Sequence, residues 1–355
     1  MLRVAVFSII TFAIAYLLYV LPVLWLLSLF SGGEMFAFWT LVPTAVVFAL
    51  LRLYLATSVT NRWLKGFVYY GMGIGFLAVL ILSALLLVQW LGGFDGPVLG
   101  SMAILAIGGV TVLSVHNANS FVTRHLTVST DRIDSPKRFA FISDVHIGSN
   151  PPRHLEAICD HLRQTDIDAL LIGGDLFDSS DFQLEDIAAL QTVEPDIFFI
   201  TGNHEGYVGG FESMLARFPE LGITVLENEA VAVHGVNLIG ISDAQPTAAK
   251  IEAVERLCRD NSFNLALVHQ PSIWGKTKRD VDLMLCGHTH NGQIFPFNLL
   301  VRLQFRHVYG RFSAAASQLY VSSGVGCWGP RMRLGSRNEI IIIDLLPSGQ
   351  SVAAG

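Results

Sequence analysis

The fold is decided by residues 139–146, which read Phe-Ala-Phe-Ile-Ser-Asp-Val-His. A short apolar run that stops at polar residues is typical of a buried strand ending in a turn. The pattern returns at 169–178, Ala-Leu-Leu-Ile-Gly-Gly-Asp-Leu-Phe-Asp, and at 197–205, Ile-Phe-Phe-Ile-Thr-Gly-Asn-His-Glu. Each of these predicted strands therefore delivers Asp, Asn or His at its carboxyl end.

The same alternation of strands and helices continues downstream. Further strands are predicted at Asn237–Ile241, Leu265–Val268, Leu283–Cys286, Leu319–Ser322 and Ile340–Leu345. Apolar residues recur with helical spacing in Arg153–Gln164, Leu184–Gln191, Phe211–Phe218 and Ala248–Asp260. This order indicates an α/β fold, in which the carboxyl ends of the strands form the ligand crevice. We expect the polar clusters to converge there.

Two later clusters complete the set: His269, and Gly287-His288-Thr289-His290. Carboxylate, amide oxygen and imidazole groups are ligands for manganese, iron or zinc, and the lack of cysteine among them disfavours a structural zinc site. Two such ions about 3.5–4 Å apart neutralise the attacking and leaving oxygens of a phosphoryl displacement. The residue types therefore favour a dinuclear centre.

In this order, the motifs D-x-H, G-D-x-x-D, G-N-H-E, H and G-H-x-H resemble the calcineurin-like metallophosphoesterase superfamily over about residues 124–346. The resemblance implies a four-layer αββα sandwich, with two β-sheets between helices. It also implies two bound divalent ions, with manganese expected first and iron or zinc as alternatives. The expected activity is hydrolysis of a phosphodiester or pyrophosphate.

The resemblance also implies a role for each motif residue. The implied ligands of the first metal are Asp144, His146 and His290. Those of the second are Asn203, His269 and His288, with Asp175 bridging the two ions. His204 is implied to act on the scissile phosphate without binding metal, and Asp178 and Glu205 to orient ligands by hydrogen bonds. Asp178 has an equal alternative as the cap of the following turn.

The N-terminal third is apolar. Four stretches are long enough to cross about 30 Å of hydrocarbon: Val4–Phe30, Met35–Leu55, Phe67–Leu91 and Pro97–Val115. They define a transmembrane anchor, residues 1–118, and residues 119–355 form the metallophosphoesterase domain. The first stretch is too long for the apolar core of a cleaved signal peptide. Gly71, Gly73 and Gly75 form a small-residue stripe on which a neighbouring helix can pack closely.

Flanking charges predict the orientation of this anchor. Basic residues precede the first stretch, separate the second from the third and follow the fourth: Arg3, Arg52, Arg62, Lys65, Arg124, Arg132, Lys137 and Arg138. The opposite side carries only Glu34 and Asp95. The positive-inside rule therefore places both termini and the catalytic domain in the cytoplasm, at the inner membrane.

Composition narrows the alternatives. Charged residues make up 15% of the chain, against about 25% in soluble domains. The part from residue 119 onward holds 19 basic and 27 acidic residues, an acidic balance that argues against a nucleic-acid partner. The four cysteines lie far apart in sequence, which favours reduced, buried thiols over a disulfide framework.

Residues 292–306 and 324–335, together with Glu339, resemble the bacterial membrane-associated branch of the superfamily, which includes UDP-2,3-diacylglucosamine hydrolase-like enzymes. We expect Arg331 and Arg333 to clamp a substrate phosphate, with surface salt bridges as the alternative. Residues 295–306 are predicted as a loop that either touches the membrane interface or packs on the domain. Trp274 and Trp328 either wall the pocket or belong to the core.

The favoured function is hydrolysis of a lipid-linked or membrane-proximal phosphoester, with the bilayer as a partner. Two alternatives remain: a tethered phosphoesterase for soluble nucleotides or phosphoproteins, and a metal-bound scaffold without catalysis. The complete motif set, including the non-ligand His204, argues against the scaffold.

Overall fold

The chain forms two compact units. The computed structural model describes residues 2–32, 37–56, 61–277 and 281–349. One unit contains Met1–His116 together with Gly329–Met332, and the other contains Asn117–Trp328 and Arg333–Gly355.

The first unit is helical. Its helices are α1 (Leu2–Ile14), α2 (Leu21–Ser31), α3 (Ala37–Ala56), α4 (Arg62–Gly92) and α5 (Gly96–Ala118), with one wide helical turn at Ala15–Val20 joining α1 to α2. Gly71 and Gly75 admit close neighbours, because a side chain at these positions would overlap the Tyr19 ring and the Leu18 carbonyl. The small-residue stripe therefore serves helix packing at these two positions.

Three helices among the described residues are long and apolar enough to cross a membrane: Val4–Ser31, Arg62–Gly92 and Gly96–Ala118. The second predicted span, Met35–Leu55, starts outside the described residues, and its described apolar part, Thr40–Leu55, is shorter than the other three. The described residues thus give three candidates where the sequence predicted four. Glu34, used for the orientation, also lies outside them.

The second unit contains two six-stranded sheets. The strands of the first, in spatial order, are β1 (Phe121–Thr130), β12 (Asn338–Pro347), β2 (Lys137–Ile142), β3 (Ala169–Ile172), β4 (Asp196–Phe199) and β5 (Ile223–Val225). Those of the second are β10 (Gly310–Ala314), β11 (Ser317–Val321), β9 (Leu283–Cys286), β8 (Phe263–Val268), β7 (Val236–Ile241) and β6 (Glu229–Val233). Strand β12 lies between β1 and β2, parallel to the former and antiparallel to the latter.

Apolar side chains alternate between the two faces of the first sheet. Phe139 and Phe141 of β2 join the core that the two sheets share, where they meet side chains of the second sheet such as Leu265. Ala140 and Ile142 point the other way, into the core beneath α6 (Pro152–Leu162). A third core lies beneath α8 (Thr247–Leu257), on the outer face of the second sheet. The two-sheet sandwich is confirmed, and its helices cover the outer faces.

All eight predicted strands are present. The sequence missed four others, β1, β5, β6 and β10, which are short or carry many exposed polar residues. Helix α7 (Phe211–Leu215) is shorter than predicted, and Leu184–Thr192 is a 3-10 helix. Residues 295–306 are not the predicted loop, since they contain helix α9 (Phe297–Gln304), which buries none of its residues.

Candidate metal centre

The five motifs lie at the carboxyl ends of strands from both sheets. In the first sheet β2, β3 and β4 are neighbours and run parallel, so the turns after them share one edge. In the second sheet β8 and β9 are parallel neighbours, followed by His269 and by Gly287–His290. The chain therefore brings the motifs together, as expected for strand ends in parallel sheets.

One group of donor atoms comes from Asp144, His146 and His290. The Nε2 atoms of His146 and His290 lie 3.0 Å apart. Oδ1 of Asp144 lies 3.3 Å from Nε2 of His290 and 3.9 Å from Nε2 of His146. The side chains of Asp144 and His146 are fully buried.

These separations fit a shared cation. Donor atoms bonded to one ion at about 2.1 Å lie about 3.0 Å apart at a right angle and about 3.4 Å apart at a tetrahedral angle. Without a cation, the two imidazole nitrogens and the carboxylate would meet largely unpaired in a buried site, which is costly. The donor set therefore suits a divalent ion.

A second group gathers around His269. Its Nε2 atom lies 3.2 Å from Oδ1 of Asn203, 3.3 Å from Nδ1 of His288 and 3.2 Å from Oδ2 of Asp175. This set has the same spacing as the first.

Asp175 lies between the two groups. Its Oδ2 atom, besides approaching His269, lies 3.8 Å from Nε2 of His146. Its Oδ1 atom accepts a hydrogen bond of 2.8 Å from the backbone N–H of His204, which fixes the carboxylate plane. The structure thus brings the side chains of all seven predicted ligands together, with Asp175 between the two groups.

Neighbouring groups orient the histidine rings. The side chains of the seven predicted ligands together are called the cage. Nδ1 of His269 is 2.9 Å from the carbonyl of Gly173, so in the neutral ring it donates a hydrogen bond to that carbonyl and leaves Nε2 free toward the cage. Nδ1 of His146 lies 3.6 Å from Oδ2 of Asp178. Asp178 in turn accepts hydrogen bonds from the backbone N–H and the hydroxyl of Ser149, which ties the first motif to the second.

Five of the seven predicted ligands have left-handed backbone conformations, which are unusual for residues other than glycine. They are Asp144, His146, Asp175, His288 and His290, with φ between 50° and 72°. Such conformations cost of order 1–3 kcal/mol each and persist only where the surroundings enforce them. The sharp turns that these conformations produce allow residues close in sequence, such as Asp144 and His146, to direct their side chains toward the same cation position.

Glu205 is one of the residues that hold these backbone conformations in place. Its buried carboxylate accepts four backbone hydrogen bonds of 2.7–3.1 Å, from Asp175, Leu176, Phe177 and Gly202. Glu205 therefore holds the second and third motifs against each other. These four hydrogen bonds go to the backbone of the turns, so Glu205 positions the ligands through the main chain.

Arg333 does not occupy the position predicted for a phosphate clamp. Its side chain is fully buried, and its guanidinium donates hydrogen bonds of 2.6 Å to the carbonyls of Ser323 and Gly326. Nη2 also lies 3.4 Å from Nδ1 of His290. Arg333 therefore supports His290 and the loop after β11. Arg331 is half-buried and belongs to the Gly329–Met332 segment of the helical unit.

Burial and mutual charge shift the pKa values of the histidines in the cage. Burial lowers the pKa values of His146 and His290, and burial together with His269 lowers that of His288 to about 4. Against the effect of burial, the carboxylate of Asp175 raises the pKa of His269 to about 10. Asp175 therefore attracts the imidazole of His269, whose Nε2 atom lies 3.2 Å from its carboxylate.

His204 lies beside the cage at its open side. Its ring centroid is 4.7 Å from that of His146, and its Nε2 atom is 4.0 Å from Oδ2 of Asp175. The rings of Tyr207 and Trp328 contact it at 5.6 and 5.9 Å, and both are exposed. Burial lowers the pKa of His204, although Asp175 opposes the shift. Trp274, in contrast, packs against His307 and donates to Ser317.

A two-sheet sandwich with such a cage at the strand ends defines the class of the metallophosphoesterases. The sequence profile named calcineurin-like phosphoesterase matches residues 137–292. A Bacillus subtilis protein named uncharacterized metallophosphoesterase YkoQ is 30% identical over 271 residues, 68% of this chain and 97% of its own length. The chain belongs to the calcineurin-like phosphoesterase family.

Other relatives are longer. A Helicobacter pylori (strain ATCC 700392 / 26695) protein, named uncharacterized metallophosphoesterase, is 35% identical over 62% of this chain and 63% of its own length. A Danio rerio protein, named transmembrane protein with metallophosphoesterase domain, is 30% identical over 59% of this chain and 53% of its own. The chain therefore spans about half to two thirds of these two proteins. The crystal structure of TT1561 from Thermus thermophilus aligns with 54% of this chain and 89% of its own at 12% identity, with a TM-score of 0.35.

Replacing Asp175 tests whether the cage holds two ions. Asp175→Asn keeps the shape and removes the charge shared by both groups. We expect the bound manganese, measured by atomic emission after gel filtration, to fall from two ions per chain to one or none. Asp181→Asn, on an exposed residue in the next turn, should retain two. Two ions bound to the Asp175 variant would contradict the bridging position.

Gly287 tests how closely the turns must approach. A Cβ atom there would overlap the carboxylate of Asp144 and the side chain of Ser143. Gly287→Ala should weaken binding of the first manganese ion at least tenfold by titration calorimetry, because Asp144 must move. Gly206→Ala is the control, since a Cβ atom at Gly206 meets nothing within 4 Å. Equal affinities in the two variants would show that the position of Asp144 is not critical.

Proposed function

We propose that this protein is a dinuclear metal-dependent phosphoester hydrolase. The observation that carries the proposal is the position of Asp175, within 3.2 Å of His269 and 3.8 Å of His146, between two complete groups of ligands. The proposed ligands are Asp144, His146 and His290 for one ion and Asn203, His269 and His288 for the other. Manganese is the proposed metal, ahead of iron or zinc.

Two bound divalent ions supply positive charge to the phosphate oxygens and lower the pKa of a water molecule for attack. The chain supplies the rest. The contact between Asp175 and His269 fixes the two groups of ligands relative to each other. Glu205 and Arg333 hold the turns that carry these ligands. A scaffold protein that only bound metal would not need His204, a histidine that is held beside the ligands without being one of them.

His204 is the proposed acid or electrostatic stabiliser at the leaving oxygen. Its backbone N–H is held by Asp175 while its ring stays 17% exposed, so one ring nitrogen can reach a phosphoester at the cage. The rings of Tyr207 and Trp328 pack edge-on against the ring of His204. Imidazole suits this task because it donates and accepts protons near neutral pH.

The substrate is proposed to be a lipid-linked or membrane-proximal phosphodiester or pyrophosphate. Support comes from the three membrane-length helices and from relatives named as transmembrane proteins. We further propose that α3 completes four spans. Both termini and the catalytic domain then face the cytoplasm at the inner membrane, since the basic residues flanking the helices fall on that side.

His204→Ala tests the catalytic role. With full-length protein in detergent and added Mn²⁺, the turnover of bis-p-nitrophenyl phosphate should fall about 10²–10⁴-fold, the usual contribution of a positioned acid or base. Metal content should stay at two ions. His234→Asn, on an exposed histidine in a turn of the same unit, should retain full turnover. Unchanged turnover in the His204 variant with both metals bound would remove this residue from the mechanism.

A lipid-extract screen tests the substrate class. Full-length protein with Mn²⁺ is incubated with a bacterial lipid extract, and mass spectrometry follows every phosphoester. We expect one lipid-linked species to disappear with the wild type and to persist with His204→Ala. Cleavage restricted to added nucleotides or phosphopeptides would instead favour the tethered enzyme for soluble substrates.

A further inference from the structure

Helix α9 carries an exposed apolar surface beside the metal centre. We define the α9 surface by Phe295, Phe297, Leu299, Leu300 and Leu303, whose exposed fractions are 51%, 45%, 51%, 56% and 84%. On an ideal helix, Leu299, Leu300 and Leu303 fall within an arc of about 100°. The α9 surface is therefore a contiguous apolar face and not a set of scattered exposed residues.

Helix α6 shows what an amphipathic helix of this unit looks like when its apolar face is covered. Leu155, Ile158 and Leu162 on one side of α6 are buried, while Glu156 faces solvent. Helix α9 has the same kind of pattern and no buried residue at all. An uncovered apolar face of this kind marks a binding surface for a partner or a membrane.

We propose that the α9 surface inserts into the lipid headgroup region of the bilayer in which this chain is anchored. Its cations fit an anionic lipid surface, since the exposed Arg302 and Arg306 lie on and just beyond the helix, with no acidic residue between 288 and 338. The connection to the membrane-length helix α5 is also short. The chain leaves α5 at Ala118 and enters β1 at Phe121, at most about 11 Å of extended backbone.

The same helix leads to the metal centre. Phe305, directly after α9, stacks edge-on against the ring of His288, with centroids 5.1 Å apart. A cavity of about 970 Å³ opens beside it, lined by aromatic side chains of Trp274, Phe305 and Phe312 and by Lys276 and Arg306. A lipid whose chains lie under α9 would thus present its phosphoester near His288. This consequence, unlike the membrane contact itself, rests on the proposed function.

Site-directed labelling tests the contact. The four native cysteines are buried, so Leu303→Cys gives one accessible thiol. An environment-sensitive fluorophore at this position, in full-length protein reconstituted in phosphatidylcholine–phosphatidylglycerol nanodiscs, should shift to the blue and be quenched by brominated acyl chains. Glu156→Cys on α6 is the control and should show neither effect. A Leu303 label that stays unquenched, or that cross-links to a second copy, would overturn the proposal.

A triple variant tests the functional consequence. Leu299→Gln, Leu300→Gln and Leu303→Gln together should lower hydrolysis of a membrane-held substrate, hexadecyl p-nitrophenyl phosphate in the same nanodiscs, more than fivefold and leave bis-p-nitrophenyl phosphate turnover within twofold. The matched control is Arg153→Gln, Glu156→Gln and Ala157→Gln on the exposed face of α6, which should change neither rate. Equal rates on the membrane-held substrate would refute a role for α9 in its capture. Absent turnover of the small diester by the wild type would refute the proposed function instead, while the quenching result would stand.

Discussion

The carboxylate of Asp175 is the point on which the centre depends. It approaches ligands from both sheets, His146 in the first and His269 in the second. Its second oxygen is held by the backbone of His204, so the carboxylate cannot turn toward either group alone. The buried Oδ2 atom of Asp175 thereby lies where ligands from the two sheets meet, and the sandwich behind it keeps the carboxylate in place.

Keeping it there is costly, and the structure shows how the cost is offset. Five ligand residues have left-handed backbones, and several imidazoles face one another in a buried site. Against this, Glu205 accepts four backbone N–H groups, and Arg333 donates to the carbonyls of the loop behind His290. Charged side chains thus stabilise turns that apolar packing alone would not select. The need to stabilise these turns by hydrogen bonds explains why buried charged side chains accumulate around the cage.

The sequence predicted the sandwich and the convergence of its motifs because apolar strands ending in Asp, Asn or His form a local pattern. Asp144, Asp175 and His290 could be picked out as candidates on that pattern, and their roles were implied by the family resemblance. The role of Arg333 could not, because arginine is usually exposed and its carbonyl partners are distant in sequence. Strand β1 was missed because Arg124, His125 and three threonines hide its alternation. Helix α9 was missed because eight residues behind Pro296 are too few for a clear helical period.

The position of β12 bears on how the protein is made. This strand comes late in the chain yet occupies the slot between β1 and β2, so the first sheet cannot close while Asn338–Pro347 is still inside the ribosome. By then the apolar helices have already been synthesised and are available for insertion into the membrane. The nascent domain must wait at the bilayer with two open strand edges, which are prone to wrong pairing. The sheet that carries the first three motifs is therefore completed only after all its other strands have been synthesised.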